Sequence, residues 1–251
     1  IFQRILEHIS SYKIDGWIVS NNERAYIIRK MFSVTKPIMI VPNTCYDYLS
    51  FVLKSTEMKS NRVKPVTRFI YQGTCDIKRR KLKELIAAFS ELDNSVELYM
   101  AIGGAAKDSV VKELKRYMKE TQNPGNVYFS NFVEYPYHFI HTYSADVGVM
   151  FYDIDVSLNY KYCAPNKLYE YTMLGLPILS SEQPHLISEI VNNNFGICIN
   201  PNDHEGIKKS ILFLSDNNNI QNMSKNARTW YLNGQGYESA GKDLDNWLIN
   251  I

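Results

Sequence analysis

From Pro65 onward the sequence alternates short apolar runs with amphipathic stretches of helical period, and that alternation leaves few folds open. The runs VTRFIYQG (66–73), VELYMAIGG (96–104), NVYFSNFV (126–133), ADVGVMFY (145–152), LPILSS (176–181) and FGICINP (195–201) read as buried strands. Helical patterns lie between them. Residues 78–91 place Leu82, Leu85, Ile86 and Phe89 on one face, DSVVKELKRYMKE follows, and YPYHFIHTY is a shorter helix. NKLYEYTMLG (166–175) ends at Gly175, the residue type that closes helices in the left-handed conformation. PHLISEIVNN and DHEGIKKSILFLSD continue the series, the second with Asp203 as N-cap, and helices over 219–232 and 237–249 end it. Apolar strands separated by amphipathic helices predict an α/β fold, a mainly parallel sheet with helices on both faces. In such sheets ligands sit beyond the carboxyl ends of the strands, near the point where strand order reverses.

Upstream the pattern is thinner. Phe2, Ile5, Leu6 and Ile9 form a helical stripe, DGWIVSN a short strand, RAYIIRKMF a helix, and KPIMIVPN a strand ending in a Pro-Asn turn. Residues 50–64 are polar and basic, as in a linker or an exposed helix. A chain that starts at Ile1 inside a helical stripe reads as a piece of a longer protein. With 45% apolar and 22% charged residues the composition is that of a filled globular core. The net charge of +2 argues against a nucleic-acid-binding domain. That charge is uneven: residues 1–64 hold ten Lys and Arg against five Asp and Glu. A solvated face accounts for such an excess, and an anionic acceptor or the inner face of a plasma membrane would suit it as well. Cys45, Cys75, Cys163 and Cys198 are far apart with no C-x-x-C pair, so free thiols in a reducing cytoplasm are expected. His8, His138, His141, His185 and His204 show no metal-ligand spacing, and no metal is expected. No run approaches the length that spans a bilayer, and no signal peptide is visible.

Polar chemistry gathers at strand ends. The first strand ends at Gly73, which permits a sharp turn or close approach of a ligand, and Lys78, Arg79, Arg80 and Lys81 cluster where the next helix is expected to begin. The helix dipole disfavours cations there, so the cluster implies an anion nearby, with solvated charge the plainer alternative for any single member. Gly103 and Gly104 end the second strand, either as a simple turn or to let backbone approach a sugar or phosphate. Neither pair belongs to a G-x-G-x-x-G fingerprint, which excludes a typical nicotinamide site. The richest segment is CAPNKLYEYTMLGLPILSS (163–181). Pro165 and Asn166 punctuate a helix start whose first-turn N–H groups form an anion site, and Lys167 adds a cation. Glu170 lies one turn on, on the same side, where a carboxylate can accept hydrogen bonds from the vicinal hydroxyls of a ribose.

Taken together, YQG…RRKLKELIAAF, YMAIGG, NVYFSNFV, PNKLYEYTMLGLPILSS, FGICINPND and MSKNARTWY resemble, in order and spacing, the retaining GT-B glycosyltransferases of family four, enzymes of bacterial polysaccharide and glycolipid synthesis such as capsule or O-antigen. The likeness spans roughly residues 65–240, and IMIVPN (38–43) resembles the end of that family's N-terminal domain. It implies a Rossmann-like donor domain over 65–235, with 1–64 as the remnant of a second, acceptor-side α/β domain and 236–251 as a helix crossing back towards it. It further implies a nucleotide-diphosphate-sugar donor, such as a UDP- or GDP-sugar, held without metal or other cofactor and transferred with retention to a glycan or lipid-linked acceptor. On that resemblance Glu170 grips the ribose, while Lys167, Arg79 and the backbone of Asn166 to Leu168 steady the leaving diphosphate. Gly73, Lys78, Arg80, Gly103, Gly104 and Pro165 then contact the donor, and the NFVEY loop at 131–135, with Asn131, Phe132 and Val133, presents backbone to the base. Two positions depart from the family. Tyr162 stands where it often has the first of two glutamates, and Thr74 where it usually has arginine. Most of the acceptor domain is missing, so transfer by this chain alone is not expected. The rival readings are an inactive nucleotide-sugar-binding subunit, favoured by those departures, and a sugar-nucleotide epimerase, which would need more catalytic carboxylates and histidines.

Overall fold

The computed structural model describes residues 13–55, 66–103, 108–130 and 133–251. The N-terminal portion is a small parallel pair, β1 (Trp17–Val19) with β2 (Ile38–Ile40), joined by helix α1 (Asn22–Phe32). Asn21 caps α1, its side-chain oxygen accepting from the Arg24 N–H at 2.9 Å. Of the linker expected over 50–64, Leu49–Ser55 is a helix, α2; the rest, like the stripe expected over 1–12, lies outside the described residues.

Six parallel strands build the main body: β3 (Thr67–Thr74), β4 (Val96–Gly103), β5 (Val127–Ser130), β6 (Val147–Met150), β7 (Ile178–Ser181) and β8 (Gly196–Ile199). Their spatial order is β5-β4-β3-β6-β7-β8, so the chain starts in the centre, builds outward one way, then returns and builds the other way. β3 is paired on both edges, Tyr71 lying between Met100 of β4 and Val149 of β6. The connecting helices are α3 (Leu82–Ser90), α4 (Asp108–Lys119), α5 (His138–Tyr143), α6 (Leu158–Lys161), α7 (Asn166–Met173), α8 (Pro184–Leu186) and α9 (His204–Phe213). Then follow α10 (Asn217–Trp230) and α11 (Tyr237–Ile249). The alternation of β3 decides the layers. Phe69 and Tyr71 pack with Leu85, Ile86 and Phe89 of α3 and Ile207 of α9, whereas Ile70 packs with Phe139, Leu168, Tyr171 and Trp230 on the opposite face. Each fully buried side chain of this size contributes about 1.5–3 kcal/mol relative to exposure. Tyr171 lies across β6 so closely that a Cβ on Gly148 would overlap its ring.

The expected elements are present, with shifted ends. The helix expected over 78–91 begins only at Leu82. Asp76 and Ile77 accept from the N–H groups of Arg80 and Leu82, and Lys81 takes a left-handed φ of 50°, so the basic cluster occupies a turn. Of the strand expected over 126–133, Val127–Ser130 is strand; Asn126 ends the short 3-10 turn before it, its side chain donating to the carbonyls of Phe89, Leu92 and Asp93, and Asn131 and Phe132 lie outside the described residues. Helix α6, absent from the sequence reading, is capped by Ser157. Gly175, at φ 69°, closes α7 as expected: Gly175 N–H donates to Thr172 and Leu176 N–H to Tyr171. The last helix ends against the first strand, where a Cβ on Gly16 would meet the Trp247 ring at 2.7 Å.

Candidate functional site

Strand order reverses between β3 and β6, and a cavity of about 550 Å³ opens at their carboxyl ends. Gln72, Gly73 and Thr74 of β3 and Tyr152 beyond β6 form one wall. Residues 163–167 and Glu170, the turn before α7 and its first turns, form another. Gly73 has φ 143°, and a Cβ there would come within 3.0 Å of the Lys167 ammonium, so glycine lets that ammonium lie against the strand end.

The charged side chains face one another here. The Lys167 ammonium sits 4.9 Å from the Tyr71 ring centroid and 5.5 Å from that of Tyr152. Burial, reinforced by the Arg80 charge and opposed by Glu170, brings its pKa down to about 7. The Arg80 guanidinium lies 4.2 Å from the Tyr152 ring, and its Nε and Nη1 are buried with no hydrogen-bond partner among the described residues. Two unanswered donors beside a second cation form an incomplete site, one that an anion with several oxygens completes. Glu170, whose pKa burial raises, accepts from the Gln72 amide at 2.7 Å. Gln72 in turn accepts from the Thr142 hydroxyl at 2.6 Å, which fixes the amide so that its NH₂ faces the carboxylate. Lys167 and Glu170 keep some accessible surface because they line the cavity, yet protein surrounds them on nearly every side.

Of the residues singled out from sequence, Gly73, Arg80, Gly103, Val133, Pro165, Asn166, Lys167 and Glu170 line this cavity. Arg79 and Lys78 do not: both are exposed, and Arg79 turns to Asp76, 3.7 Å away. The delayed start of α3 is the reason, since in the turn that precedes it Arg80 is the member directed inward. Leu168 is fully buried in the core, and its N–H already donates to Pro165. Gly104, Asn131 and Phe132 lie outside the described residues. Tyr135, the end of the loop expected at the base, lines the cavity; sequence reading gave no role in the site to Gln72, His138, His141 and Tyr152, which also line it, or to Thr142 behind Gln72. Gln72 carried a usable signal, a polar residue inside an otherwise apolar buried strand. Elsewhere His204 meets Glu91 and Glu205, with ligand atoms within 4.8 Å of one another, but the Lys208 ammonium lies 3.0 Å from each carboxylate and takes a cation's place. Among the described residues no helix is long and apolar enough to cross a membrane.

The family described as glycosyl transferases group 1 matches residues 56–230. No curated protein sequence matches the chain. Among solved structures, sucrose-phosphate synthase from Thermosynechococcus elongatus aligns over 99% of this chain and 61% of its own, with 16% identity and a TM-score of 0.75. TarM of S. aureus, a mutant in complex with fondaparinux, alpha-GlcNAc-glycerol and UDP, covers 95% of this chain and 44% of its own, at 18% identity and TM-score 0.67. HepE of Anabaena, in complex with UDP-glucose, covers 93% and 63%, at 13% identity and TM-score 0.68. The likeness is one of fold, and the chain spans 61% of the length of the synthase.

Proposed function

The chain belongs to the glycosyl transferases of group 1, and from that premise we propose that its cavity binds the nucleotide-diphosphate-sugar donor of a retaining sugar transfer. The observation that carries the reading is Arg80, with two buried N–H groups unanswered beside Lys167 at the strand-order switch. A diphosphate supplies the missing acceptors. With it bound, the Lys167 ammonium is favoured over the neutral amine, and both cations stand where negative charge grows as the sugar–phosphate bond breaks. Glu170, aimed by Gln72, takes the ribose hydroxyls, and Val133 borders the base. The acceptor, a glycan or lipid-linked sugar, approaches from the N-terminal portion; its hydroxyl passes its proton to the leaving diphosphate, so the protein contributes position and charge. No metal or cofactor enters this scheme.

One feature favours a binding-only subunit. Tyr162 occupies the place of a family carboxylate; its carbonyl accepts from Arg24 Nε at 2.9 Å, and its ring lies 5.6 Å from the Lys161 ammonium. Donor turnover separates the readings, with hydrolysis or transfer by the longer protein expected and its complete absence leaving the binding subunit. The site itself is tested by calorimetry of this chain with UDP, GDP and ADP. At least one should bind, and Arg80→Ala should weaken it; equal affinity in the variant would remove the cavity from donor binding.

A further inference from the structure

The turn that feeds the amino end of α7 is held by side chains from a segment more than a hundred residues away. Arg24 Nε donates to the Tyr162 carbonyl at 2.9 Å, Asn21 Nδ2 to that of Cys163 at 3.3 Å, and Asn43 Nδ2 to that of Ala164 at 2.7 Å. Three consecutive carbonyls thus have a donor from the β1–α1–β2 portion, and the next residue, Pro165, has no N–H of its own. The donors are fixed in turn. Asn21 is almost fully buried, and its oxygen is committed to capping α1, so only its NH₂ can face the turn. Arg24 also donates to Asn159 of α6, the helix just before that turn, at 2.5 Å. Asn43 follows Pro42 just after β2, where the Val41 N–H donates to Val19. A trans peptide points its N–H opposite to its C=O, so holding the Tyr162 and Cys163 carbonyls also sets the directions of the Cys163 and Ala164 N–H groups.

We propose that Asn21 and Asn43, with Arg24, are positioning residues for the donor's diphosphate. Neither asparagine lines the donor cavity; both act through the turn they hold, which sets where the first turn of α7 and Lys167 stand. The acceptor-side portion therefore shapes the affinity of the donor site, and a nucleotide diphosphate bound there favours that portion in its docked position. This rests on the reading of the cavity as a diphosphate site.

The test uses the full 251-residue chain and whichever of UDP, GDP and ADP it binds best, with the matching nucleoside followed by NMR titration. Asn43→Leu removes the donor at nearly constant shape. Asn21→Ser keeps an oxygen that caps α1 but cannot reach the turn. Asn126→Ala is the control, since Asn126 also holds three carbonyls, far from the cavity. Combining the first two substitutions should lower diphosphate affinity about tenfold, the usual scale for carbonyls left without donors, and leave nucleoside affinity unchanged. The proposal is overturned by unchanged diphosphate affinity, by an equal loss for the nucleoside, or by the same loss in the control. If Arg80→Ala and Lys167→Ala also bind the diphosphate like the unaltered chain, the donor-site reading itself fails, a result distinct from failure of the clamp alone.

Discussion

One wall of the cavity holds Gln72 and Gly73 on a backbone ladder, whereas the turn before α7 hangs on side chains of a distant segment. β3 is paired on both edges as far as Tyr71, and Gln72 and Gly73 stay in register with Ala101 and Ile102 of β4, so they move with the sheet. Residues 162–164 have no such ladder; Asn21, Arg24 and Asn43 take its place. A ladder is settled when the domain folds. A side-chain clamp from another part of the chain can be loosened without unfolding anything. The residues whose positions depend on the clamp include Lys167, whereas Gln72, which holds the Glu170 carboxylate, stands on the ladder. On the proposed reading, diphosphate recognition is then the adjustable half of the site, and ribose recognition, tied to the sheet through Gln72, the more rigid half.

The comparison breaks most directly at Arg80, which belongs to neither wall but to the turn before α3. Arg80→Ala should lower nucleoside diphosphate affinity roughly a hundredfold, since charge-assisted bonds in a buried place are among the strongest available. Calorimetry decides; a change under threefold would mean that another group answers the phosphates. The ladder wall is probed by Gly148→Ala. The added methyl must displace the Tyr171 ring, whose hydroxyl contacts the Ile70 and Val149 carbonyls, and overpacking of that kind costs about 2 kcal/mol. Urea unfolding should show that loss, and unaltered stability would show the ladder wall to be as yielding as the other. A smaller effect is expected at Gln72→Leu, about tenfold in nucleotide affinity, because Glu170 loses the hydrogen bond that opposes burial and its carboxyl moves further up. A loss confined to nucleotides, with the free diphosphate ion bound as before, would place Glu170 on the ribose.

The same division decides what the sequence could disclose. Strand alternation and helical stripes gave the six strands and the order of elements because ladders and core faces follow from local periodicity. Gly73, Lys167 and Glu170 were legible for that reason: strand ends and helix starts can be counted along the chain. Arg79 stood out in place of Arg80 because a helix expected from residue 78 sets different directions from one that starts at Leu82. The left-handed Lys81 that causes the delay carries no signal in its residue type. Asn21 and Asn43 were invisible for a different reason. Asn43 lies 121 residues from the carbonyl it holds, and an asparagine in a turn looks the same whether or not a distant backbone needs it. Thr142 was hidden likewise, its role set by a hydrogen bond to Gln72, 70 residues away in the chain.

The smallest effect is also the one that best separates charge from position. Burial and Arg80 bring the Lys167 pKa down to about 7, so above that pH the amine is mostly neutral. A bound diphosphate favours the ammonium, because the nearest strong charge is then negative. Binding above about pH 7 therefore takes up a proton, and affinity must fall as pH rises; below that value the proton is already present and the dependence flattens. For a single group of this pKa, the loss between about pH 6.5 and 7.5 is about threefold, provided the bound ammonium stays charged. Lys167→Met should bind more weakly throughout and lose this dependence. His138, also in the cavity, has its pKa lowered by burial and then by His141, which moves its titration away from this window. The clamp variants give the sharper comparison: if Asn43→Leu moves Lys167 away from Arg80 and the tyrosines, its pKa rises and the pH dependence shifts upward with the lost affinity. An unshifted pH profile in a variant with weakened binding would mean that the turn positions the N–H groups of α7 and leaves the ammonium where it was.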